Sequence, residues 1–233
     1  MQIDVEARPS YGLAVVKLDQ GDALVAEAGA MVAMDPGLGV ETGFMGVGGG
    51  GFVDWLKAAL AGLARKFLAG ESMFVNTFKA KTADGGEVML APSMVGDIEH
   101  IDLSGGKRIT VQAESYLASS PKVKVGLIWG GISMLLSGEG AFFLDCKGEG
   151  DLLINSYGAI EKVEIDGAYV VDTGHVVAWE GDLKYNLKKA GGWKSAMFSG
   201  EGMVLEFNGK GTVWLQTRNI GSFISWITPF FPS

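Results

Sequence analysis

Apolar and polar residues alternate over short stretches along most of this chain. In residues 159–165, Ile160, Val163 and Ile165 are separated by charged residues, which is close to a period of two. This period is typical of β-strands that bury one face and expose the other. Matched apolar runs, each led by a glycine, lie at 86–90, 150–154 and 211–215. Each run follows a glycine-containing turn after another strand, at 72–78, 140–146 and 202–207. The pattern predicts an all-β fold of short antiparallel strands joined by hairpins at these turns.

A turn signal recurs along the chain and defines a repeat. It lies at 9–12 (PSYG), 92–96 (PSMVG) and 155–158 (NSYG), with a truncated fourth copy at 218–221 (RNIG). Each full copy is followed by an alternating run and by a second run, and the second runs end at Ala33, Ala118 and Ala178. Each unit closes on a Gly-Glu pair that begins at Gly70, Gly138 or Gly200. Such repeats indicate stacked modules, and we expect three tandem β-sandwich modules in a pseudo-threefold arrangement.

The repeat also sets the expected domain organisation. We expect residues 1–233 to form a single compact body. Its internal modules would lie at approximately 1–70, 71–138 and 139–200, with 201–233 completing the set. Modules of roughly 60–85 residues are marginally stable alone. The three modules are therefore expected to share a core.

The first unit carries an insertion. The turn glycines Gly12 and Gly96 are 84 residues apart, whereas the next two spacings are 62 and 63 residues. Most of the extra residues lie between Ala33 and Gly70, where residues 52–68 follow a glycine-rich run. Apolar side chains recur at helical spacing along one stripe of 52–68, with polar residues opposite. The sequence therefore predicts one inserted amphipathic helix.

The connecting segments of the three units share a positive charge. Residues 52–68, 121–136 and 182–198 hold nine basic and two acidic residues, a net charge of +7 in 50 residues, whereas the whole chain carries −8. If a rotation relates the units, these segments lie on one apolar, basic face. The candidate residues for this membrane or partner face are Phe52, Trp55, Leu56, Lys57, Leu60, Leu63, Arg65, Lys66, Phe67, Trp129, Lys188, Lys189 and Trp193.

Two interpretations of residues 52–68 remain open. In the first, the apolar stripe packs on the β-core or on a neighbouring subunit. In the second, the stripe lies in a membrane interface with its basic residues near the lipid headgroups. One tryptophan lies in each connecting segment, and tryptophan is favoured both in membrane interfaces and in protein contacts.

The end of the chain and the open edges of the modules suggest self-association. Residues 223–231 (FISWITPFF) are strongly apolar, and we expect them to form the last strand and to seal a subunit contact. Open β-edges pair readily with other chains. A homo-oligomer is therefore expected, with a trimer as the form in which three copies of three modules close a ring.

Composition favours a lipid or subunit contact. Hydrophobic residues make up 48% of the chain, charged residues 20%, and the mean hydropathy is +0.24. The first nine residues lack the apolar core of a signal peptide, and no apolar run reaches the roughly 18–20 residues of a spanning helix. A single cysteine fits a reducing compartment. We expect a cytoplasmic protein, or one that is peripheral at the inner face of the membrane.

Residues suited to catalysis or metal binding are scarce. His100 is expected on a strand and His175 in a hairpin, while Cys146 is expected to be a buried, apolar residue. Zinc requires three or four cysteine, histidine or carboxylate ligands at close spacing, and the sequence offers no such group. We expect no catalytic residue, no cofactor, no metal and no enzymatic activity.

Three glutamates recur in the closing Gly-Glu pairs: Glu71, Glu139 and Glu201. Each either caps a turn or pairs with a lysine of the next module, or the three together bind a cation around an axis. The interpretation as turn caps or ion pairs is preferred.

The PSYG-type turn, the Gly-Glu-Gly strand start and the threefold register over about residues 2–229 resemble the altered-inheritance-of-mitochondria-24 family. The resemblance implies a fold similar to that of the tryptophan RNA-binding attenuation protein, in which small β-sandwich modules sit side by side around an axis. It implies three such modules fused in one chain. Mitochondrial relatives are associated with inner-membrane organisation, and the family carries no catalytic residues to transfer.

Two functions from different classes follow. The first is a non-enzymatic, oligomeric β-scaffold that associates with a membrane surface, or with a protein partner, through the apolar basic face. The alternative is a module that binds small molecules or RNA in clefts between β-modules. The net charge of −8 argues against nucleic acid, because phosphate contacts require clustered lysine and arginine.

Overall fold

We describe residues 1–45, 74–128, 143–189 and 203–231 of the computed structural model. Within these ranges the chain forms sixteen β-strands, one α-helix and three short 3₁₀ helices. The all-β class predicted from the alternation is therefore confirmed. The predicted helix at 52–68 lies outside the described residues.

The strands fall into three sets that follow the repeat, after β1 (Gln2–Glu6). The first module contains β2 (Leu13–Leu18), β3 (Ala23–Glu27), β4 (Met31–Met34), β5 (Leu38–Phe44), β6 (Phe74–Ala80) and β7 (Gly86–Leu90). The second contains β8 (Ile98–Asp102), β9 (Arg108–Gln112), β10 (Tyr116–Ser119), β11 (Val123–Ile128), β12 (Phe143–Gly148) and β13 (Asp151–Asn155). The third contains three long strands: β14 (Ile160–Asp172), β15 (Val176–Lys189) and β16 (Met203–Gln216).

We name the six strand positions of a module a to f in chain order. In the third module each long strand supplies two consecutive positions, so that β14 covers a and b, β15 covers c and d, and β16 covers e and f. In the first module, positions a, f and c form one sheet with strand order β1-β2-β7-β4. Positions d, e and b form part of a second sheet with strand order β5-β6-β3. The second module divides its strands between two sheets in the same way, whereas the three long strands of the third module lie in one sheet, in the order β15-β16-β14.

The prediction that strands e and f form hairpins is wrong. Strands β6 and β7 lie in different sheets, and in the third module both positions belong to the single strand β16. A glycine with positive φ lies between positions e and f: Gly85 with φ 69° where the chain of the first module crosses between sheets, and Gly209 with φ 134° within the continuous strand β16 of the third. Glycine adopts these positive φ values without steric cost. The same position of the repeat therefore accommodates either a crossing between two sheets or a continuous strand.

Neighbouring modules are joined by one type of strand pair, in which position b of one module pairs antiparallel with position c of the next. Strand β3 pairs with β10, with Ala26 opposite Ala118. Strand β9 pairs with β15, with Val111 opposite Ala178. The two junctions have the same register, because Ala118 and Ala178 are corresponding residues of the repeat.

A bulge at the same place in every c strand confirms that the modules correspond residue by residue. Each c strand pairs with its own f strand, and the register shifts by one residue at Val32 in β4, at Leu117 in β10 and at Val177 in β15. Such bulges bend a strand and redirect its side chains. Three tandem modules, predicted from the turn signals, are therefore present.

The core is shared between modules, as expected from their small size. The first hydrophobic cluster combines residues of the first module, such as Leu24 and Phe78, with Leu117 and Leu153 of the second. The second cluster combines Ile109 and other residues of the second module with Val177 and Trp214 of the third. Each internal c strand thus completes the core of the module before it.

The first junction contains a carboxyl group with a perturbed pKa. Burial raises the pKa of Glu27, at the end of β3, from 4.5 to about 7, and the charge of Glu114 in the second module adds to the effect. The folded state therefore holds this proton at pH values where the unfolded state has released it. The contribution of Glu27 to stability falls as the pH rises from 4.5 to beyond 7.

The variant Glu27→Gln is expected to be more stable than the native chain at pH values above 7, with a difference that shrinks towards pH 4.5. Urea unfolding across this range measures it. Glu161→Gln, which changes an exposed glutamate of β14, is the control for removal of one carboxylate. A Glu27→Gln variant with the native pH dependence would show that Glu27 titrates normally.

Two sequence predictions about the segments between strands need correction. Residues 121–136 and 182–198 were expected to be connections, but β11 and β15 extend into them, to Ile128 and Lys189. Residues 223–231 were expected to form the last strand. Instead, residues 223–230 lie in α1 (Ile220–Ile227) and a 3₁₀ helix (Thr228–Phe230), and Phe231 follows them. The side chain of Asn219 accepts a hydrogen bond from the backbone N–H of Ser222 and caps α1.

Candidate interaction surfaces

Most of the predicted apolar basic face lies outside the described residues: Phe52, Trp55, Leu56, Lys57, Leu60, Leu63, Arg65, Lys66, Phe67, Trp129 and Trp193. The two remaining residues are at the end of β15. Lys188 is exposed and forms an ion pair with Glu206 on β16. Lys189 pairs with Met203 in the strand ladder. The partner carboxylate offsets part of the positive charge predicted for this end of the strand.

The three connecting segments nevertheless occupy equivalent places. Residues 46–73 follow β5 and precede β6, residues 129–142 follow β11 and precede β12, and residues 190–202 separate β15 from β16. Each pair of strands occupies positions d and e of its module and pairs directly. The expectation that the segments correspond by the repeat therefore agrees with the topology of the described strands.

The residues considered for catalysis have structural partners. His100 on β8 lies 2.7 Å (Nε2 to Oδ1) from Asp151 on the neighbouring strand. His175, in a 3₁₀ helix between β14 and β15, has its Nδ1 2.7 Å from the carbonyl oxygen of Gln216. Cys146 is fully buried on β12, and burial raises the pKa of its thiol to about 12. A thiol with so high a pKa is a poor nucleophile near neutral pH.

Among the described residues, no group of three or more histidine, cysteine or acidic side chains is placed to hold a metal ion. Glu71, Glu139 and Glu201 lie outside those residues. Their role as turn caps, ion-pair partners or cation ligands stays a prediction.

A charged cluster ties the N-terminal segment to the second module. The guanidinium of Arg8 donates to both carboxylate oxygens of Asp97, at 2.7 and 2.9 Å, and to Glu99 at 2.7 Å. Asp97 is only 2% exposed, and its backbone N–H donates to the carbonyl oxygen of Gly158 in the next turn. The carboxylates raise the pKa of Arg8 further above its usual range. The cluster thus fixes three consecutive repeat turns.

These turns contact one another through backbone hydrogen bonds. The N–H of Gly12 donates to the carbonyl of Gly96 at 2.8 Å, and the N–H of Gly158 donates to the carbonyl of Val95 at 2.9 Å. A Cβ atom at Gly96 would clash with the carbonyl oxygen of Ser156. The glycine of the turn signal is therefore required by the close approach of neighbouring backbones.

A shallow cleft lies at the junction of the second and third modules. Its volume is about 430 Å³, and it is lined by Lys107, Arg108, Glu180, Gly181, Gly211 and Thr212. Arg108 already forms an ion pair with Asp145. The predicted alternative, a ligand site between modules, would fall in a cleft of this kind and stays a prediction.

Among the residues that the structure describes, the largest group of exposed aromatic side chains lies along α1 and the turn after it. Phe223, Trp226 and Phe230 form a row, with ring centroids 6.2 Å apart for the first pair and 5.7 Å for the second. The ring of Tyr157, in the third repeat turn, lies 6.1 Å from Phe223 and anchors the row. Exposure rises from 36% at Phe223 to 65% at Trp226 and 73% at Phe230.

The segment that carries this aromatic row has a positive net charge. Residues 217–233 contain one arginine, Arg218, and no acidic residue. Ile224 and Phe231 add further exposed apolar surface, at 53% and 66%. The row could have been found in the sequence, since Ile220, Phe223, Ile224 and Ile227 recur at helical spacing after the capping residue. No helix among the described residues is both long and apolar enough to cross a bilayer.

Comparisons with known proteins identify relatives over the full length of the chain. Residues 3–218 match the family described as Mitochondrial biogenesis AIM24. The uncharacterized protein M6_Spy0233 of Streptococcus pyogenes serotype M6 is 28% identical over 236 residues, covering 100% of this chain and 92% of its own. The crystal structure of protein SPYM3_0169 from Streptococcus pyogenes has a similar fold, with a TM-score of 0.78, 26% identity and 99% coverage of both chains.

Proposed function

The chain belongs to the Mitochondrial biogenesis AIM24 family, and we propose that it is a non-enzymatic β-scaffold that assembles with copies of itself and lies on a membrane surface. One observation carries the membrane part of the proposal. The C-terminal aromatic row presents Trp226 and Phe230 to solvent beside a basic residue, with no acidic residue in 217–233.

A membrane interface fits this surface better than bulk water does. Burying an aromatic side chain that is exposed stabilises the bound state by about 1.5–3 kcal/mol. Tryptophan and phenylalanine are the side chains that interfacial helices use for shallow insertion, and basic residues attract anionic lipid. Insertion to headgroup depth requires only a short helix such as α1, because nothing has to span the bilayer.

The sequence supplies a second candidate for lipid contact. Residues 52–68 combine an apolar stripe with Lys57, Arg65 and Lys66, the pattern of an interfacial helix. A chain with two such segments binds more tightly than a chain with one, because the second contact forms within an already bound molecule. Deleting 52–68 therefore separates the contribution of this segment from that of α1.

Assembly is proposed from the open edges of the terminal modules. The resemblance drawn from the sequence implies modules that sit side by side around an axis, as in the tryptophan RNA-binding attenuation protein, and such an arrangement suggests a ring. Three copies of this chain would place nine modules in such a ring, so we propose a trimer. An array of this kind would present one α1 per copy and bind a membrane multivalently.

We expect the native protein to co-sediment with vesicles that contain anionic lipid. The double variant Trp226→Ser/Phe230→Ser should bind at least about tenfold more weakly, because two exposed aromatic side chains are removed from the interface. The control is Tyr11→Ser, which removes a side chain that is 72% exposed in the first repeat turn. It should bind vesicles as the native chain does.

The outcomes distinguish lipid contact through α1 from the alternative explanations. Equal binding by the native chain and the double variant would exclude α1 as the lipid contact. Absence of binding to any vesicle would overturn the membrane part of the proposal and leave a protein partner as the alternative for the aromatic row.

A further inference from the structure

We propose that two open strand edges of this chain, one in each terminal module, pair with each other between copies of the protein. The first edge is β4 (Met31–Met34), position c of the first module. The second is the part of β14 at 168–172, position b of the third module. This inference specifies the contact that forms the assembly, and it rests on the oligomeric part of the proposed function.

The internal junctions define what the open edges are able to do. At each junction, position b of one module pairs antiparallel with position c of the next. A chain of three modules contains two such junctions and leaves one b strand and one c strand over. Among the described strands, β4 pairs only with β7, and β14 pairs only with β16. The two left-over strands are therefore complementary halves of a third junction.

Exposure of the c strands shows the effect of the missing partner. The bulge residues Leu117 and Val177 are fully buried, because each enters the core of the preceding module. The corresponding residue of the first module, Val32, is 58% exposed. Its neighbours Met31 and Met34 are 43% and 39% exposed, although every residue of β10 is buried.

The b strands show the same difference in exposure between the internal junctions and the open edge. Leu24 and Ile109 are fully buried at the internal junctions, whereas the corresponding residue of the third module, Tyr169, is 38% exposed. The next residue, Val170, is 58% exposed, while its counterparts in β3 and β9 are half-buried. Apolar side chains are thus uncovered at the places where the next module would cover them.

The stretches proposed to pair lack most of the usual protection against pairing. Open strands in soluble proteins commonly carry lysine, proline or inward-facing charge that prevents contact with another sheet. Residues 31–34 read MVAM and residues 168–171 read AYVV, all uncharged, and the charges lie only at the ends, at Asp35 before Pro36 and at Asp172. The two edges are apolar and of similar length, and each fits the other better than it fits water.

The repeat fixes the register of the proposed pair. At the internal junctions, Ser119 lies opposite Val25 and Trp179 lies opposite Thr110. The corresponding contact between copies places Met34 of one molecule opposite Val170 of the next, in antiparallel orientation. Val32 would then enter the core of the third module of the neighbour, beside Leu205 and Phe207.

The contact is head to tail, since each copy uses its third module against the first module of the next. Contacts of this kind generate a ring when the rotation closes and a filament when it does not. The ring of three copies proposed above is the closed form. In either form each copy contributes both edges once.

Disulfide trapping tests the register. Two single variants, Met34→Cys and Val170→Cys, are prepared with different tags, mixed and oxidised. A disulfide-linked heterodimer is expected in the mixture, and no linked dimer is expected from either variant alone. The native Cys146 does not interfere, because it is fully buried and burial raises the pKa of its thiol.

Two further pairs sharpen this test. Tyr169→Cys is the matched control for Val170→Cys, because adjacent residues of a strand face opposite sides. Its mixture with Met34→Cys should form far less linked dimer. In the double variant Met34→Cys/Val170→Cys, a disulfide within one chain, without linked dimers, would overturn the proposal. Linked dimers from Met34→Cys alone would do so as well, since they require a symmetric contact.

Charge insertion tests the edges independently. Val32→Lys and Val170→Lys should each shift the sedimentation equilibrium mass from that of an oligomer towards the 24.5 kDa of one chain. Val95→Lys is the matched control, because Val95 is 55% exposed but lies in a repeat turn instead of on an edge. It should leave the mass unchanged. Equal masses for all three variants and the native chain would contradict the proposed contact.

These results are distinguishable from failure of the proposed function. If the native chain is an oligomer that Val32→Lys and Val170→Lys leave intact, the edge contact is wrong and the scaffold proposal stands. If the native chain is monomeric at every concentration, both the edge contact and the assembly fail. The membrane part is tested separately, by comparing vesicle binding of the native chain with that of Trp226→Ser/Phe230→Ser, which leaves both edges unchanged.

Discussion

Replacing Leu117 by alanine is expected to lower the free energy of unfolding by about 2–5 kcal/mol. Leu117 is the fully buried bulge residue of β10, and it packs in the core of the first module although it belongs to the second. The substitution leaves a cavity between two modules that are each only marginally stable alone. Urea unfolding followed by far-ultraviolet circular dichroism measures the change.

Val32, which occupies the position of Leu117 in the first module, provides the control. It occupies the same bulge position in the first module but is 58% exposed. In the Val170→Lys background, where the chain is expected to be monomeric, Val32→Ala should change the free energy of unfolding by less than about 0.5 kcal/mol. Equal effects of Leu117→Ala and Val32→Ala would contradict the claim that internal c strands complete the preceding core.

The second large effect is expected at the charged cluster of the repeat turns. Arg8→Gln should destabilise the fold by about 2–3 kcal/mol, because it leaves the buried carboxylate of Asp97 without its cationic partner. The estimate lies below the range for fully buried pairs, since the side chain of Arg8 is 41% exposed and water screens part of the interaction.

An exposed ion pair elsewhere serves as the comparison for this substitution. Lys79 and Glu41 are 2.7 Å apart (Nζ to Oε2), and their side chains are 49% and 70% exposed. Lys79→Gln is expected to cost less than about 1 kcal/mol. If the two substitutions cost the same in chemical denaturation, the Arg8–Asp97 pair does not fix the turns.

Much of the fold follows from the sequence, because the alternation is long enough to mark strands and the turn signal recurs at nearly constant spacing. The predictions that were wrong concern which strands pair with each other. Alternation shows which face of a strand is buried but not which strand lies beside it, so β6 and β7 were predicted to pair although they lie in different sheets. In the third module, Gly209 was interpreted as a turn, although it bends a continuous strand.

The candidate surfaces were predicted less well than the fold. Leu183, Tyr185 and Leu187 alternate with polar residues and could have indicated that β15 continues. The apolar, aromatic composition of 223–231 suggested a strand. Ile220, Ile227 and the apolar residues between them are nevertheless spaced as on one face of a helix. The open edges could not be predicted, because Val32 and Val170 look like ordinary strand residues until the pairing of their counterparts is known.

The central claim is that the same type of strand pairing, position b with position c, joins modules within a chain and between chains. Hydrogen exchange of the assembled protein tests this claim most directly. Compared with the Val170→Lys variant, the native oligomer should protect amides in 31–34 and 168–172, to an extent similar to 116–119 at the internal junction. Protection confined to 116–119 and other internal strands, with residues 31–34 exchanging freely in an intact oligomer, would contradict the account.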